Sequence, residues 1–247
     1  MPTLSHYWDD MRKKILEYSF KHKLGHIPSA LSMVDYIESV FKYIKKDDKI
    51  IIGKPFGAQA YYTVWKDRGW LTDIDKLHMG VKHDEIKFVD YSEETIGNAL
   101  GVAAGIALTT DKKVYVNITD ASLQMGNTLE AIQFIGHHQL NNVICTIDYN
   151  NSQVTGHTSD IIDVQPVLTM IRLYNWDLYV IDGHDKSKLD QLISQAINKR
   201  DLPTMIVCIT KKGYGIPEME KDIKKWHYKK IETSEELQSL VAALQAT

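Results

Sequence analysis

The chain has 247 residues, of which 44% are hydrophobic and 25% are charged, as in an ordinary globular protein with room for one large α/β domain or two small ones. Its formal net charge is −3, from 29 basic and 32 acidic residues, and this balance argues against binding to nucleic acid or to an anionic membrane. The N-terminal segment lacks a signal-peptide pattern and no run of 18 apolar residues occurs, so we expect a cytoplasmic protein.

The first part of the chain is predicted to be largely helical. Apolar residues at helical spacing predict helices over residues 5–23, 29–46, 57–70 and 72–78. Ser29 is a candidate cap for the second of these helices. A short apolar run predicts a buried strand over residues 48–53. Residues 94–109 are apolar, rich in small side chains and too long for a strand, so they predict a deeply buried helix.

From residue 113 onward, the pattern alternates between strands and helices. Continuous apolar runs predict strands over residues 113–119, 142–148, 177–182 and 204–210. The segments between them predict helices over residues 122–139, 163–174 and 186–200. Uninterrupted apolar strands separated by helices are typical of a parallel sheet that is covered on both faces. We therefore expect an α/β fold, forming a single domain over residues 1–247 with a charged surface arm and a last helix at its end.

Two polar side chains, Asp120 and Asn150, come just after the first two strands of this alternating part. Ligands of open parallel sheets bind outside the carboxyl ends of the strands, and oxygen donors of this kind suit Mg²⁺ or Ca²⁺. The helix predicted after Asp120 would direct its N-terminus to the same place, which favours a diphosphate. The spacing alone leaves a structural alternative open, in which Asp120 caps the helix at Ser122 and residues 150–151 form a turn.

The stretch NITDASLQMGNTLEAIQFIGHHQLNNVICTIDYNNSQ, residues 117–153, resembles the thiamine-diphosphate motif, and more specifically that of transketolases. In that family a Glu-Ala pair follows the aspartate and the second strand ends in Asp-x-Asn, as LEA and DYN do here. By this resemblance the Asp120 carboxylate, the Asn150 side chain and the backbone carbonyl of Ser152 would bind the metal. The cofactor implied is thiamine diphosphate with Mg²⁺, or with Ca²⁺.

Four further segments resemble the N-terminal half of transketolases, in the same order along the chain. LGHIPSALSMVDY implies that His26 lies beside the cofactor or substrate, and DKIIIGKPFGAQAYY resembles the strand, turn and helix that follow. YSEETIGNALG implies that Ile96 and Gly97 meet the aminopyrimidine, and KKWHYKK implies that His227 reaches the diphosphate. His83, in GVKHDE, matches a substrate-binding histidine less closely. From the residues alone, His26 and His227 also fit solvated surface positions.

Three turns depart from the family pattern. Gly-Asp-Gly is Thr-Asp-Ala at residues 119–121, so Ala121 adds a methyl group where the backbone would approach the diphosphate. Gly-His is Pro-Phe at residues 55–56, so Phe56 replaces a histidine that contacts sugar and diphosphate. Thr-Gly-Pro is Glu-Glu-Thr at residues 93–95. We expect the cofactor to be kept and the donor or acceptor to be less hydroxylated than a phosphoketose.

The resemblance covers only the diphosphate-binding half of the family's enzymes. Their pyrimidine-binding half, which supplies a glutamate to the aminopyrimidine, is expected on a separate C-terminal subunit in an α₂β₂ heterotetramer. The chain is therefore interpreted as the N-terminal subunit of a split transketolase-like transferase that is inactive alone and moves a ketol or related acyl unit between sugar or keto substrates. The alternatives are the α subunit of a 2-oxo-acid dehydrogenase or decarboxylase, and a non-catalytic regulatory relative.

Overall fold

The computed structural model describes residues 4–72, 77–198 and 201–245. They form two compact units, each made of several segments of the chain. The helical unit comprises the described parts of Met1–Phe41, Phe56–Gly80 and Thr210–Thr247. The sheet unit comprises the described parts of Lys42–Pro55 and Val81–Ile209. In the described residues, no helix is long and apolar enough to cross a membrane.

The sheet unit contains a six-stranded sheet in which every neighbouring pair is parallel, in the order β2-β1-β3-β4-β6-β5. The strands are β1 Lys49–Ile52, β2 Tyr91–Ser92, β3 Val114–Thr119, β4 Val143–Tyr149, β5 Asp177–Asp182 and β6 Thr204–Ile209. Their apolar runs pack with the flanking helices into one buried core. The α/β fold with a parallel sheet is confirmed, and each predicted strand begins and ends within one residue of the prediction, β5 matching at both ends. The two-residue strand β2 was not predicted, since it is too short to leave an apolar run.

The helices of the sheet unit lie between its strands. They are α4 Ala99–Ala107, α5 Gly126–His137, α6 Thr158–Ile161, α7 Gln165–Leu173 and α8 Lys186–Asn198. The predicted burial of α4 is wrong for one of its faces, because Gly101, Gly105 and the following Leu108 are exposed while its alanines are buried. Glycine and alanine look equally apolar in sequence, and the pattern therefore does not show which of the small residues face the core.

The segment after β3 also differs from the prediction of one helix over residues 122–139. Asp120–Gln124 forms a 3₁₀ turn, Met125 is extended, and the α-helix begins only at Gly126. The backbone N–H of Thr119 lies 3.5 Å from the Ser122 hydroxyl oxygen, closing this turn locally. The prediction of an α-helix N-terminus just after Asp120 is therefore wrong, because only a short 3₁₀ turn follows Asp120 and the α-helix begins six residues later.

The helical unit is built from the N-terminal, middle and C-terminal segments of the chain. Its helices are α1 Leu4–Lys21, α2 Ile27–Phe41, α3 Gln59–Asp67, α9 Pro217–Lys221, α10 Ile223–Trp226 and α11 Ser234–Gln245. Every residue of α2 is buried, and α1 packs against α2, α3 and α11. Ser29 lies inside the first turn of α2 and not at its cap, because the helix starts two residues earlier. The helix predicted over 72–78 falls largely on residues 73–76, which lie outside the described residues.

Candidate functional site

The site begins at the carboxyl ends of β3 and β4. The register pairs Thr119 with Asp148, so the residues that follow these two strands emerge side by side. The backbone N–H of Asn151 donates to Asp120 Oδ2 at 2.7 Å, which ties the loop after β4 to the turn after β3. The structure therefore brings together the two chain segments from which the sequence predicted a metal site.

The Asp120 carboxylate is fully buried and accepts four hydrogen bonds. Oδ1 accepts from the Thr119 hydroxyl at 3.0 Å and from the Ala121 N–H at 2.8 Å. Oδ2 accepts from the Asn151 N–H and, at 3.2 Å, from the Thr158 hydroxyl. Burial, together with the negative charge of Asp148, raises the pKa of Asp120, and the hydrogen bonds oppose that rise. A cation beside this carboxylate would replace one of its present donors, and the Thr158 hydroxyl is the most distant of them.

The Asn150 side chain is oriented by its neighbours in the loop after β4. Its Nδ2 donates to Asp148 Oδ2 at 2.7 Å, and its Oδ1 accepts from the Ser152 N–H at 3.0 Å. Asp148 is fully buried, and its carboxylate forms a buried ion pair with the Lys54 ammonium at the end of β1. The Lys54 charge therefore compensates Asp148, which in turn fixes the amide so that its oxygen and nitrogen cannot exchange places.

These residues fit a hard divalent cation by the chemistry of their donors. A carboxylate, an amide oxygen and a backbone carbonyl are ligands that Mg²⁺ and Ca²⁺ accept, and Mg²⁺ usually keeps waters or phosphate oxygens in its other positions. Among the described residues, no group of three or more His, Cys, Asp or Glu side chains could hold a metal, which leaves no competing centre of that kind in these parts of the chain. The roles of Asp120, Asn150 and Ser152 as ligands stay predictions.

The turn before α4 holds Ile96 and Gly97. Gly97 has φ +126°, a conformation that favours glycine, and an added Cβ would lie 3.2 Å from the Met125 side chain. Its N–H donates to Glu93 Oε1 at 3.0 Å, and the Asn98 N–H donates to Glu93 Oε2 at 2.8 Å. The buried Glu93 carboxylate thus accepts hydrogen bonds from backbone N–H groups at the start of α4, and burial raises the pKa of this carboxyl. Ile96 is half-buried beside it.

Ala121 follows Asp120 and contacts its carboxylate. It is buried, and its N–H is held by Asp120 Oδ1 at 2.8 Å. The backbone donor at this residue therefore faces a carboxylate in the present arrangement. Its predicted role toward a diphosphate stays a prediction, and it would require this N–H to be shared or redirected.

His83 belongs to the loop that precedes β2. Its imidazole is exposed, its Nδ1 lies 3.2 Å from the Ser92 hydroxyl oxygen, and its ring centroid is 5.6 Å from that of Tyr91. These contacts hold one side of the ring against the edge of the sheet and leave the other side to solvent. The substrate role of His83 stays a prediction.

In the helical unit, His26 and His227 belong to one aromatic cluster. The His26 ring stacks on Phe56 at 5.1 Å and meets the rings of His227 and Tyr228 at 4.7 and 5.4 Å. The backbone N–H of His26 donates to the backbone carbonyl oxygen of His227 at 3.2 Å. His26 has φ +57°, which is uncommon for a non-glycine residue. The solvated-loop alternative does not describe His26, which is only 7% exposed.

His227 is half-buried within this cluster. Burial, and then the positive charge of Lys212, lower its pKa from 6.5 to about 4. At neutral pH the imidazole is therefore uncharged, so it can serve an anionic ligand as a hydrogen-bond donor and not as a fixed cation.

Sequence reasoning missed the contacts by which neighbouring residues support the predicted ones. Lys54, Asp148, Glu93 and Ser92 are all buried, although each is polar or charged. Asp148 had a usable signal, because a carboxylate closing an apolar strand implies a compensating cation nearby. Lys54 and Ser92 gave no such signal, since their partners are 94 and 9 residues away and only the fold brings them together.

Comparisons with known proteins show the family and the fold. The family model described as "Transketolase, thiamine diphosphate binding domain" matches residues 102–243. The chain is 28% identical over 236 residues to transketolase-like protein 2 of Bos taurus, a match that covers 84% of this chain and 37% of that protein. It is 27% identical over 236 residues to the 6-deoxy-6-sulfo-D-fructose transketolase subunit SqwG of Clostridium sp. (strain MSTE9), covering 86% of each chain.

A third relative, like SqwG, is matched over most of its length. The chain is 22% identical over 262 residues to an apulose-4-phosphate transketolase subunit of Phocaeicola vulgatus, covering 97% of this chain and 92% of that one. Thus the chain spans most of these two subunits but only 37% of the mammalian relative.

Solved structures share the fold. A transketolase variant from Pichia stipitis superposes with a TM-score of 0.76 at 17% identity, covering 99% of this chain and 44% of that chain. The transketolase from Leishmania mexicana superposes with a TM-score of 0.70 at 17% identity, covering 100% of this chain and 45% of that one.

Proposed function

The chain belongs to the transketolase family and matches its thiamine-diphosphate-binding domain, and on that basis we propose that it is the N-terminal subunit of a split, thiamine-diphosphate-dependent transketolase-like enzyme. The observation that carries the proposal is the Asn151–Asp120 hydrogen bond, which joins an acid and an oriented amide at the carboxyl ends of β3 and β4. Two relatives of nearly the same extent are named as transketolase subunits, which supports the split arrangement.

The cofactor roles follow from the donors present. Asp120, Asn150 and the Ser152 carbonyl would hold Mg²⁺, which neutralises the diphosphate, and thiamine diphosphate supplies the electron sink for breaking and forming bonds next to a carbonyl. Ala121 would present its backbone to the diphosphate. His227 would donate a hydrogen bond to it.

The remaining predicted residues belong to the aminopyrimidine and the substrate. Ile96 and Gly97 would meet the aminopyrimidine, and His26 and His83 would bind substrate oxygens or move a proton there. Phe56, stacked on His26 where the family has a second histidine, favours a donor or acceptor with fewer hydroxyl groups at that position.

A partner subunit completes the proposed enzyme. It would supply the pyrimidine-binding half in an α₂β₂ assembly, and the reaction would be transfer of a ketol or related acyl unit between sugar or keto compounds. The first experiment is isolation of the tagged chain from its own cells, followed by native mass spectrometry. We expect a second chain in equal amount with bound thiamine diphosphate; a lone chain or homodimer without cofactor would overturn the proposal.

The metal assignment has its own test in the reconstituted complex. Asp120→Ala should abolish Mg²⁺-dependent binding of thiamine diphosphate, measured by calorimetric titration. Asp111→Ala, which removes an exposed carboxylate before the same strand, is the matched control and should bind normally. Equal affinity of the two variants would contradict the assignment.

A non-catalytic relative is the second candidate function. The observation that favours it is Glu93, whose carboxylate takes up the N–H groups of Gly97 and Asn98 at the turn expected to meet the cofactor. This candidate predicts no thiamine diphosphate binding even in the complete complex, so the titration above separates it from the enzyme. None of the relatives described above carries a 2-oxo-acid dehydrogenase name, and that alternative gains no support from them.

A further inference from the structure

The Ser92 hydroxyl is surrounded by three polar partners in the sheet unit. Its Oγ donates to the Val81 carbonyl oxygen at 2.7 Å. The backbone N–H of His83 donates to the same Oγ at 3.2 Å, and the His83 Nδ1 also lies 3.2 Å from it. Ser92 is buried, with 8% of its surface exposed, so these partners are its immediate surroundings.

Counting protons decides the direction of the third contact. A serine hydroxyl has one proton and two lone pairs, and a carbonyl oxygen can only accept. The proton of Ser92 is therefore committed to Val81, whose carbonyl is also its nearest partner. Oγ must accept from both His83 nitrogens, and so the proton of the neutral imidazole resides on Nδ1.

We propose that Ser92 is a positioning residue that holds His83 as the Nδ1–H tautomer. Nε2 then carries the free lone pair on the exposed side of the ring, and it accepts a hydrogen bond from a substrate hydroxyl or takes its proton. The opposite tautomer would present an N–H and would suit a carbonyl oxygen instead. The structure thus assigns a hydroxyl group of the substrate to His83. This substrate contact rests on the proposed function, whereas the tautomer does not.

The tautomer is measured on the full chain without cofactor, partner or substrate. Two-bond ¹H–¹⁵N spectra of the histidine-labelled chain at mildly alkaline pH distinguish a protonated from an unprotonated ring nitrogen, and His83→Asn assigns the signals. We expect a protonated Nδ1 and an unprotonated Nε2. A protonated Nε2 in the wild-type chain would overturn the proposal, whatever the variants do.

Two substitutions of Ser92 separate positioning from folding. Ser92→Ala removes the acceptor and should shift His83 toward the Nε2–H tautomer, whereas Ser92→Thr keeps a hydroxyl and should preserve the wild-type signals. If the wild-type tautomer persists in Ser92→Ala, Ser92 does not set it. Should Ser92→Ala fail to fold, a protonated Nε2 in the wild-type spectrum, or a loss of the Nδ1–H tautomer in Ser92→Thr, would still overturn the proposal.

Kinetics of the reconstituted complex test the substrate part. We expect Ser92→Ala to lower kcat/KM roughly tenfold, the equivalent of one hydrogen bond, with restoration in Ser92→Thr. The loss should shrink for a substrate that lacks the hydroxyl group. A complex that transfers nothing would defeat the proposed function while leaving the tautomer measurement standing, and an equal loss for both substrates would defeat the assigned hydroxyl contact.

Discussion

At the scale of single residues, His227 is controlled by what surrounds it. Burial and Lys212 hold its pKa at about 4, below the 6.5 of an unfolded histidine. Between these two pH values His227 binds more protons in the unfolded chain than in the folded one, so its contribution to the free energy of unfolding falls as the pH drops from 6.5 toward 4. Above 6.5 both states are neutral at this residue, and its contribution does not change with pH.

Urea denaturation across this pH window tests the effect. On acidification, the free energy of unfolding should fall more steeply for the wild-type chain than for His227→Gln. The difference between the two slopes should correspond to the uptake of less than one proton on unfolding. His138→Gln removes an exposed histidine and serves as the control, with the wild-type slope. Identical slopes for wild type and His227→Gln would show that His227 is not held neutral. A bound diphosphate should raise the pKa of His227, visible in its ring-proton titration.

The buried Lys54–Asp148 ion pair leads to a prediction about stability. Lys54→Met leaves the fully buried Asp148 charge without its compensating cation, and we expect a loss of about 3–5 kcal/mol in the free energy of unfolding. Adding Asp148→Asn should recover part of that loss. Lys112→Met, at an exposed ion pair, should cost less than about 1 kcal/mol. Equal, small losses would mean that water reaches the pair.

Residues differ in how far the sequence foretells them. Asp120 and Asn150 could be placed because parallel strands that follow each other in the chain end at the same edge, and β3 and β4 are indeed neighbours. Lys54 follows β1, whose position beside β3 was not evident from the pattern. The direction of the Asn150 amide depends on its hydrogen bonds with Asp148 and Ser152, at 2.7 and 3.0 Å, which no spacing rule contains.

At the scale of elements, the glycines of α4 and α5 differ in the space available for a side chain. A Cβ at Gly101 or Gly105 would meet nothing within 4 Å, because that face of α4 is open. A Cβ at Gly136 in α5 would lie 1.9 Å from the Tyr174 carbonyl oxygen. Gly101→Ala and Gly105→Ala should each raise the free energy of unfolding by about 0.5–1 kcal/mol, since alanine restricts the unfolded chain and favours the helix.

Gly136→Ala is the matched opposite of these changes. We expect a loss of more than about 1 kcal/mol, because the backbone at Tyr174 must move to admit the methyl group. Thermal and urea unfolding of the three variants give the comparison. A loss of stability in Gly101→Ala would show that this face is covered in solution.

Elements were predicted in type more reliably than in extent. Each predicted strand is a single apolar run, and such runs, which burial on both faces favours, are easily recognised in a sequence. The start of α5 was misplaced by four residues, because the backbone of Met125 is extended and nothing in the residue type predicts this. Exposure of one α4 face was missed for the reason given above, that glycine and alanine both look apolar.

At the scale of the whole molecule, ligand and partner should act on stability together. A ligand that binds only the folded state at about a hundred times its Kd adds about 2.7 kcal/mol to the free energy of unfolding. We expect Mg²⁺ with thiamine diphosphate to raise the Tm of the reconstituted complex and to raise that of this chain alone much less. Asp120→Ala should remove the rise in the complex. An equal rise without the partner would contradict the proposed division of the site between two chains.

The division into two units was not foreseen from the sequence, which showed no linker or change of composition. The boundaries fall at residues 41–42, 55–56, 80–81 and 209–210, inside short connections that look like any other loop. Local patterns report what a segment becomes, whereas the grouping of distant segments depends on contacts between them.

The composite make-up of the helical unit has a consequence for biosynthesis. All six strands of the sheet unit have been made by residue 209, so that unit can assemble while translation continues. The helical unit must wait for Thr210–Thr247, because α1 packs against α11, more than two hundred positions later. Helix α1 therefore completes its packing only after the whole sheet unit has been synthesised, although α1 precedes that unit in the chain.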